Sequence, residues 1–281
     1  DEVVTTTGCL EAIYYAIMVT TIPGDKIAVE SPVYFGLFKA IASAGREPVE
    51  ISSHPVTGID LEELSSAIDE QEVKACIVVT SFSNPMGANL SETKREALVE
   101  LVTQKKIILI EDDIYGELHF EAARAKVCKA FDQSDQVILC SSFSKSVAPG
   151  YRIGWIIPGK YKNEVINLKM NHSVCTSSLT ELAMDHFLSH GRYDLHMRQL
   201  RKKLHIQGLR YIQAIHEYFP KETMVSNPEG GFVLWIRLPE TVNGEVLYRK
   251  AMESGISIAP GQMFSQELNL SRYIRLSFGL P

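Results

Sequence analysis

The sequence lacks several features that would assign the protein to a class at once. No apolar run approaches the roughly 20 residues that a membrane-spanning helix needs. The chain opens with Asp1 and Glu2, where a signal peptide would carry basic residues. Its 28 lysines and arginines are outnumbered by 34 aspartates and glutamates. The formal net charge of −6 therefore argues against this segment binding a nucleic-acid backbone by itself.

Paired cysteines and a nucleotide-binding loop are missing too. The five cysteines are an odd number without a C-x-x-C pair, which predicts reduced thiols, packed as small core residues, in a cytoplasmic protein. No G-x-x-x-x-G-K-[ST] run is present. This absence disfavours a nucleotide hydrolase that would use Asp112 and Asp113 to bind magnesium.

The first half of the chain alternates short β-branched runs with helical patterns. Several runs are apolar without alternation, as expected for strands that are covered on both faces. The order predicts an α/β fold with a mostly parallel sheet between helices. The predicted strands cover residues 26–30, 48–51, 75–80, 107–111, 137–140 and 153–157, and the predicted helices cover residues 10–19, 34–44, 61–70, 92–104 and 161–169.

The second half predicts a smaller α+β domain. A long charged helix over residues 193–218 is followed by a strand at 232–238, a helix at 245–254 and strands at 256–259 and 273–278. We therefore predict a large domain over residues 1–170, with an interdomain helix and a small C-terminal domain over 171–281. Because a strand begins within a few residues of Asp1 and no helix follows the last strand, we expect a fragment of a longer, N-terminally truncated protein.

Polar residues follow the predicted strands at their carboxyl ends, where open α/β sheets collect their ligands. Gly8 precedes a helix start that can bind an anion, although a simple turn would look the same. Tyr34, behind a proline turn, can stack on a flat ring or pack on the sheet. Asn84 belongs to an Asn-Pro turn that also ends a strand.

Two charged groups follow the next strands. The three acids at 111–113 end a buried strand, so they need a cation, either a metal or a protonated ring nitrogen, unless they form a surface turn. Lys145 follows the strand after that, where desolvation can make it a nucleophilic amine; a snorkelling surface lysine is the alternative. Ser142, Ser144 and Arg152 beside it suit a phosphate. Arg275 lies on the last strand and needs a carboxylate partner if it points inward, or solvent if it does not.

This order of parts resembles the fold-type I enzymes that depend on pyridoxal 5′-phosphate (PLP). From Gly8 to Phe278 the chain is similar to class I/II aminotransferases. The runs EDDIYGEL and CSSFSKSVAPGYRIGW are most similar to the C-terminal domain of MocR-type regulators of the GntR superfamily. Those regulators join a winged-helix DNA-binding domain to an aminotransferase-like domain.

The resemblance implies a role for each residue. It makes Lys145 the amine that holds PLP covalently, Asp112 the partner of the pyridine nitrogen, and Tyr115 the partner of the phenolic oxygen. Tyr34 would stack on the ring. The phosphate would lie against Gly8, Cys9, Leu10, Ser142, Ser144 and Arg152, and Asn84 would contact both the cofactor and the substrate, whose α-carboxylate Arg275 would bind. Cys9-Leu10 replaces the Ser/Thr-Gln pair common in the family, leaving backbone donors and a weak thiol donor in the phosphate turn.

The resemblance also implies the function. We expect a PLP-binding effector domain of a GntR/MocR-type transcriptional regulator, with transaminase chemistry on an α-amino acid; a stand-alone metabolic aminotransferase is the alternative. The implied partners are a small amino-acid or amine ligand and a second copy in a homodimer. DNA would be bound only through a winged-helix domain outside this chain. No metal and no membrane contact are expected, and the predicted location is the cytoplasm.

Overall fold

The structure, a computed structural model, describes residues 2–121 and 123–279. Within these residues the larger sheet has eight strands, which lie in the order β1-β8-β7-β6-β5-β2-β3-β4. They are β1 (Val4–Thr6), β2 (Lys26–Ser31), β3 (Glu47–His54), β4 (Gly58–Ile59), β5 (Val73–Val79), β6 (Ile108–Asp112), β7 (Val137–Ser142) and β8 (Gly154–Ile157).

The centre of this sheet is parallel. β3, β2, β5, β6 and β7 run in one direction, while β8 is antiparallel to both β7 and β1, and β4 forms a short antiparallel pair with β3. Every residue of β6 and β7 is buried, as the non-alternating apolar runs predict for strands covered on both faces. The predicted α/β fold with a mostly parallel sheet is confirmed.

Helices cover both faces of the sheet because neighbouring residues of a strand point in opposite directions. Ile77 of β5 packs with one set of helices, whereas Cys76 and Val78 pack with the other. The first set comprises α1 (Cys9–Thr20), α2 (Phe35–Ser43) and α5 (Lys162–His172), and the second comprises α3 (Leu61–Gln71) and α4 (Glu92–Lys105). Asp60 and Ser91 cap α3 and α4 by accepting bonds from backbone N–H groups of the first turn.

The second half of the chain forms a smaller, antiparallel sheet with the order β11-β12-β10-β9. It packs through Leu234, Ile236 and Ile274 against the long helix, which contributes Leu204 and Ile215 to the same core. Its elements are α6 (Ser178–Ser189), α7 (Arg192–Tyr218), β9 (Met224–Val225), β10 (Val233–Arg237), α8 (Gly244–Glu253), β11 (Ala259–Pro260) and β12 (Tyr273–Ser277).

Three features of this half differ from the predictions, one of which is the unpredicted short strand β9. Residues 256–258, predicted as strand, are unpaired, and β11 covers only Ala259–Pro260. α6 is an additional helix between the helices predicted at residues 161–169 and 193–218. It was missed because its buried face is small: Met184 is its one buried residue, while Leu179 and Leu182 are exposed. A helix without a buried stripe gives little periodic signal.

Short 3-10 turns occupy Gly116–Leu118, Cys128–Phe131, Pro149–Tyr151, Gly159–Tyr161 and Gly261–Phe264. All five cysteines are free, and four of them are buried as predicted, whereas Cys175 is exposed. Among the described residues, every helix is too short or too polar to cross a membrane.

Candidate functional site

A cavity of about 380 Å³ lies where the carboxyl ends of β5, β6 and β7 approach β12. All predicted site residues line it except Gly8, which adjoins Cys9 in the chain, and Ser142, which lies two residues before Ser144. Its walls are Cys9, Leu10, Ile13, Tyr34, Leu37, Val79, Asn84, Asp112, Ile114, Tyr115, Ser144, Lys145, Pro149, Arg152, Phe232, Arg275 and Ser277. A larger groove of about 600 Å³, between residues 55–57 and 226–229, contains none of the predicted site residues.

Lys145 supplies an amine to this cavity from the turn after β7. The open cavity leaves its side chain accessible to solvent, and its Nζ lies 5.8 Å from the centre of the Phe232 ring. Partial burial lowers the pKa of Lys145, the guanidinium of Arg275 lowers it further, and the Asp112 carboxylate opposes them. A lowered pKa increases the fraction of neutral amine, which is the nucleophilic form.

Asp112 supplies a carboxylate from the end of β6. Its Oδ1 accepts hydrogen bonds from Ile114 N at 3.0 Å and from Cys9 Sγ at 3.2 Å, and no donor contacts Oδ2 within residues 2–121 and 123–279. Burial raises the pKa of Asp112 to about 6, although the two hydrogen bonds and the charge of Lys145 lower it. Asp112 is therefore ionised at neutral pH, and its Oδ2 has no partner among the described residues.

The two acids beside Asp112 face elsewhere, which corrects the expectation that all three meet one cation. Glu111 accepts bonds from Thr80 Oγ1 and two backbone N–H groups and lies 3.9 Å from buried Arg95. Asp113 pairs with Arg124. No cluster of three metal-binding side chains occurs in the described part of the chain. Magnesium binding by Asp112 and Asp113 together is therefore not supported.

Tyr115, Asn84 and Arg275 form one wall of the cavity. Arg275 Nη1 donates to Asn84 Oδ1 at 3.1 Å, and Tyr115 lines the cavity beside them. Arg275 points inward but, among the described residues, has no carboxylate partner, and its buried Nε has no hydrogen-bond acceptor. Burial lowers the pKa of Arg275. This guanidinium is thus placed to receive an anion through its Nε edge.

The start of α1 and Arg152 form a second cationic end. Gly8 has a φ of 145° and leaves the first turn of α1 without a side-chain cap, so its N–H groups remain available. A Cβ on Gly8 would lie 2.7 Å from Arg152 Nη2, so only glycine lets the guanidinium approach the turn this closely. Arg152 Nη1 also reaches Ser144 Oγ at 3.4 Å. A helix N-terminus beside an arginine is a phosphate site by its chemistry.

The side chains of Ser142 and Cys9 both have hydrogen-bond partners within the protein. Ser142 is buried beneath the turn, where its Oγ accepts a bond from Ser144 N at 3.3 Å. The Cys9 thiol contacts Asp112 and is not a donor of the phosphate turn. Tyr34 lies on the remaining wall, and Gly36 makes room for its ring, because a Cβ at Gly36 would clash with it.

Comparison with known proteins agrees with this arrangement. The sequence matches the family described as aminotransferase class I and II over residues 1–281. The chain belongs to this family. It is 39% identical, over 99% of its length, to an uncharacterized HTH-type transcriptional regulator of Escherichia coli, YdcR, and 29% identical, over 99%, to aromatic-amino-acid aminotransferase 1 of Thermococcus litoralis. The chain spans 59% of the regulator and 68% of the aminotransferase.

A solved structure extends the comparison to the fold. The α-aminoadipate aminotransferase LysN of Thermus thermophilus superposes with a TM-score of 0.93 at 25% identity, covering 99% of this chain and 72% of that one. That structure contains N-(5′-phosphopyridoxyl)-L-leucine, a PLP–amino acid adduct. PLP is the cofactor of this aminotransferase family.

The cavity of this family member fits PLP by its own chemistry. An amine with a lowered pKa suits the aldehyde, and a buried carboxylate with one free oxygen suits a protonated pyridine nitrogen. The Gly8 turn with Arg152 suits the phosphate. The unpaired Nε of Arg275 suits the carboxylate of an amino acid.

Two contributors escaped the sequence analysis. Phe232 lines the cavity and packs edge-on against Tyr115, with 5.6 Å between ring centres. The pair Gly230-Gly231 before its strand was the available signal, since such a pair marks a close approach of chain segments. The contact between Cys9 and Asp112 joins residues 103 positions apart, and no local pattern indicates it.

Proposed function

We propose that this chain is the PLP-binding, aminotransferase-like effector domain of a GntR/MocR-type transcriptional regulator, with transaminase chemistry on an α-amino acid. Two Escherichia coli HTH-type regulators support this choice: they share 39% and 36% identity with the chain, against 29% for the aromatic-amino-acid aminotransferase. The chain spans 59% and 60% of these regulators. The remaining two fifths would hold the winged-helix domain that binds DNA.

The proposed roles combine the family resemblance with the positions of the residues in and beside the cavity. Lys145 holds the cofactor covalently, Asp112 pairs with the ring nitrogen, Tyr115 hydrogen-bonds the phenolic oxygen, and Tyr34 stacks on the ring. The phosphate lies against Ser142, Ser144, Arg152 and the backbone of Gly8, Cys9 and Leu10. Asn84 serves both cofactor and substrate, because it lies near Tyr115 and accepts a hydrogen bond from Arg275, which binds the substrate α-carboxylate.

The cofactor would supply an electron sink, since its protonated ring accepts the electrons left at Cα when a proton departs. Asp112 keeps the ring nitrogen protonated by remaining ionised beside it. Lys145 would provide an amine inside the cavity that moves the Cα proton as a general base and acid. Arg275 holds the carboxylate and thereby orients the Cα–H bond toward that amine.

The observation that carries the proposal is that Lys145 and Asp112 line one cavity between two cationic ends, Arg152 and Arg275. The test uses the full-length protein. We expect it to absorb visible light with PLP bound, and borohydride to fix the cofactor on Lys145, identified by peptide mapping. Lys145→Ala is the control. A reduced covalent adduct that persists in Lys145→Ala contradicts the assignment.

A stand-alone aminotransferase is the second candidate, supported by the 68% of the Thermococcus litoralis enzyme that the chain spans. DNA binding by the full-length protein that changes with an amino acid favours the regulator. Rapid turnover without DNA binding favours the enzyme. We further propose that residues 1–170 and 171–281 are the two domains, that the protein is a homodimer, and that it works in the cytoplasm.

A further inference from the structure

A thiol contacts the acid of the proposed cofactor site. Cys9 is the first residue of α1 and Asp112 is the last residue of β6, and the distance between Cys9 Sγ and Asp112 Oδ1 is 3.2 Å. Both side chains are buried, and both line the cavity that holds Lys145. The contact therefore ties the phosphate turn to the carboxylate of the same site.

The proton of this contact belongs to the sulfur. Burial raises the pKa of Cys9, and the negative charge of Asp112 raises it further. The thiol is thus neutral near pH 7 and donates its proton to the carboxylate oxygen. Apart from Cys9, the charges of Lys145 and Glu111 act on the pKa of Asp112, and the charge of Asp112 in turn raises the pKa values of Glu30, Cys140 and Tyr115.

The two oxygens of Asp112 have different partners. Oδ1 accepts both Cys9 Sγ and Ile114 N, whereas Oδ2 has no donor within the described ranges. Two donors on one oxygen fix the rotation of the carboxylate and leave the other oxygen for a ligand. A buried carboxylate with one unpartnered oxygen that lines the cavity points to a cationic partner there.

We propose that Cys9 is a positioning residue, whose thiol holds Asp112 Oδ1 so that Oδ2 faces the ring nitrogen of PLP and the carboxylate stays ionised. This inference rests on the proposed function. A hydrogen bond to the ionised form of an acid favours that form. Without the thiol, the carboxylate becomes more basic and draws the shared proton from the ring nitrogen toward itself.

The direction in which Cys9 shifts the proton shared by Asp112 and the ring nitrogen can be tested by substitution. Cys9→Ala removes the donor, while Cys9→Ser replaces a weak S–H donor by a stronger O–H donor. Cys140→Ala is the matched control: Cys140 is also fully buried and pairs with Asp112 in the neighbouring strand, but its thiol makes no hydrogen bond to Asp112 within the described residues. The full-length protein carries PLP labelled with ¹⁵N at the ring nitrogen.

We expect the ring ¹⁵N signal to move toward unprotonated pyridine in Cys9→Ala. The ratio of ring-protonated to Asp112-protonated forms should fall by roughly threefold to tenfold. The signal should move the opposite way in Cys9→Ser, because its O–H is the stronger donor, and stay at the native position in Cys140→Ala. If Cys9→Ala does not fold, the direction of the ¹⁵N shift in Cys9→Ser decides whether Cys9 positions Asp112.

Native signals in both Cys9 variants would overturn the proposal, because Cys9 would then only fill space. A shift toward unprotonated pyridine in Cys9→Ser would overturn it as well, since a stronger donor must act the other way. Borohydride labelling of Lys145 in every variant separates this result from the proposed function. Without that label in the native protein, the proposed function itself fails.

Discussion

The binding of an α-carboxylate by Arg275 gives the sharpest test of the site. Its Nη1 is committed to Asn84 at 3.1 Å, while its buried Nε has no acceptor among residues 2–121 and 123–279, so the Nε–Nη2 edge is the one that a carboxylate can bind with two bonds. Each hydrogen bond between charged groups contributes about 1.5–3 kcal/mol. Losing both should cost about 3 kcal/mol or more, which is at least about a 100-fold loss of amino-acid affinity.

The perturbation is Arg275→Met, which keeps an apolar stem beside Phe264 and removes the donors. The assay is a visible-absorption titration of the PLP-loaded, full-length protein with a panel of α-amino acids and with the matching amines that lack the carboxylate. In the native protein the amino acid should bind much more tightly than its amine. In Arg275→Met this preference should disappear, while PLP stays bound to Lys145.

Arg237→Met is the matched control, because Arg237 lies on neighbouring β10 and is exposed. It should leave both affinities unchanged. The reasoning is refuted if Arg275→Met loses PLP and the amino acid to the same extent, which would make Arg275 a structural residue. It is also refuted if the preference for the amino acid over the amine survives.

Two further substitutions test the phosphate turn and a buried acid. Gly8→Ala should weaken PLP binding by roughly tenfold or more, because its Cβ would meet Arg152 Nη2 at 2.7 Å and its φ is 145°. Gly24→Ala, with a φ of 89° but no atom within 4 Å of a Cβ, should leave equilibrium PLP binding unchanged, and equal loss in both would contradict the role of Arg152. Glu30 is fully buried, and burial raises its pKa from 4.5 to about 8. The folded state therefore keeps a proton that the unfolded state releases, so stability should fall by about 1.4 kcal/mol per pH unit between these values, and Glu30→Gln should flatten that fall. Urea unfolding at pH 5 and pH 8 measures it, and parallel pH dependence in both proteins would exclude Glu30 as the cause.

Several parts of the site were accessible from the order of residues alone. Lys145, Asp112 and Asn84 each follow an apolar run, and the carboxyl ends of parallel strands share one edge of the sheet. Convergence of these side chains was therefore predictable without coordinates. The sequence did not indicate whether Arg275 points into the interior or into solvent. A strand that mixes polar and apolar neighbours does not show which of its faces is covered.

The sequence by itself determined the α/β class, the parallel centre of the large sheet and the residue types available for PLP, because periodicity and turn residues act over a few positions. Only the tertiary structure decided which of three adjacent acids enters the cavity. Arg95 lies beside Glu111, and Arg124 pairs with Asp113; both arginines come from other segments of the chain. Asp112 is therefore left for the site. The contact between Cys9 and Asp112 depends in the same way on the packing of α1 against β6, which no local pattern encodes.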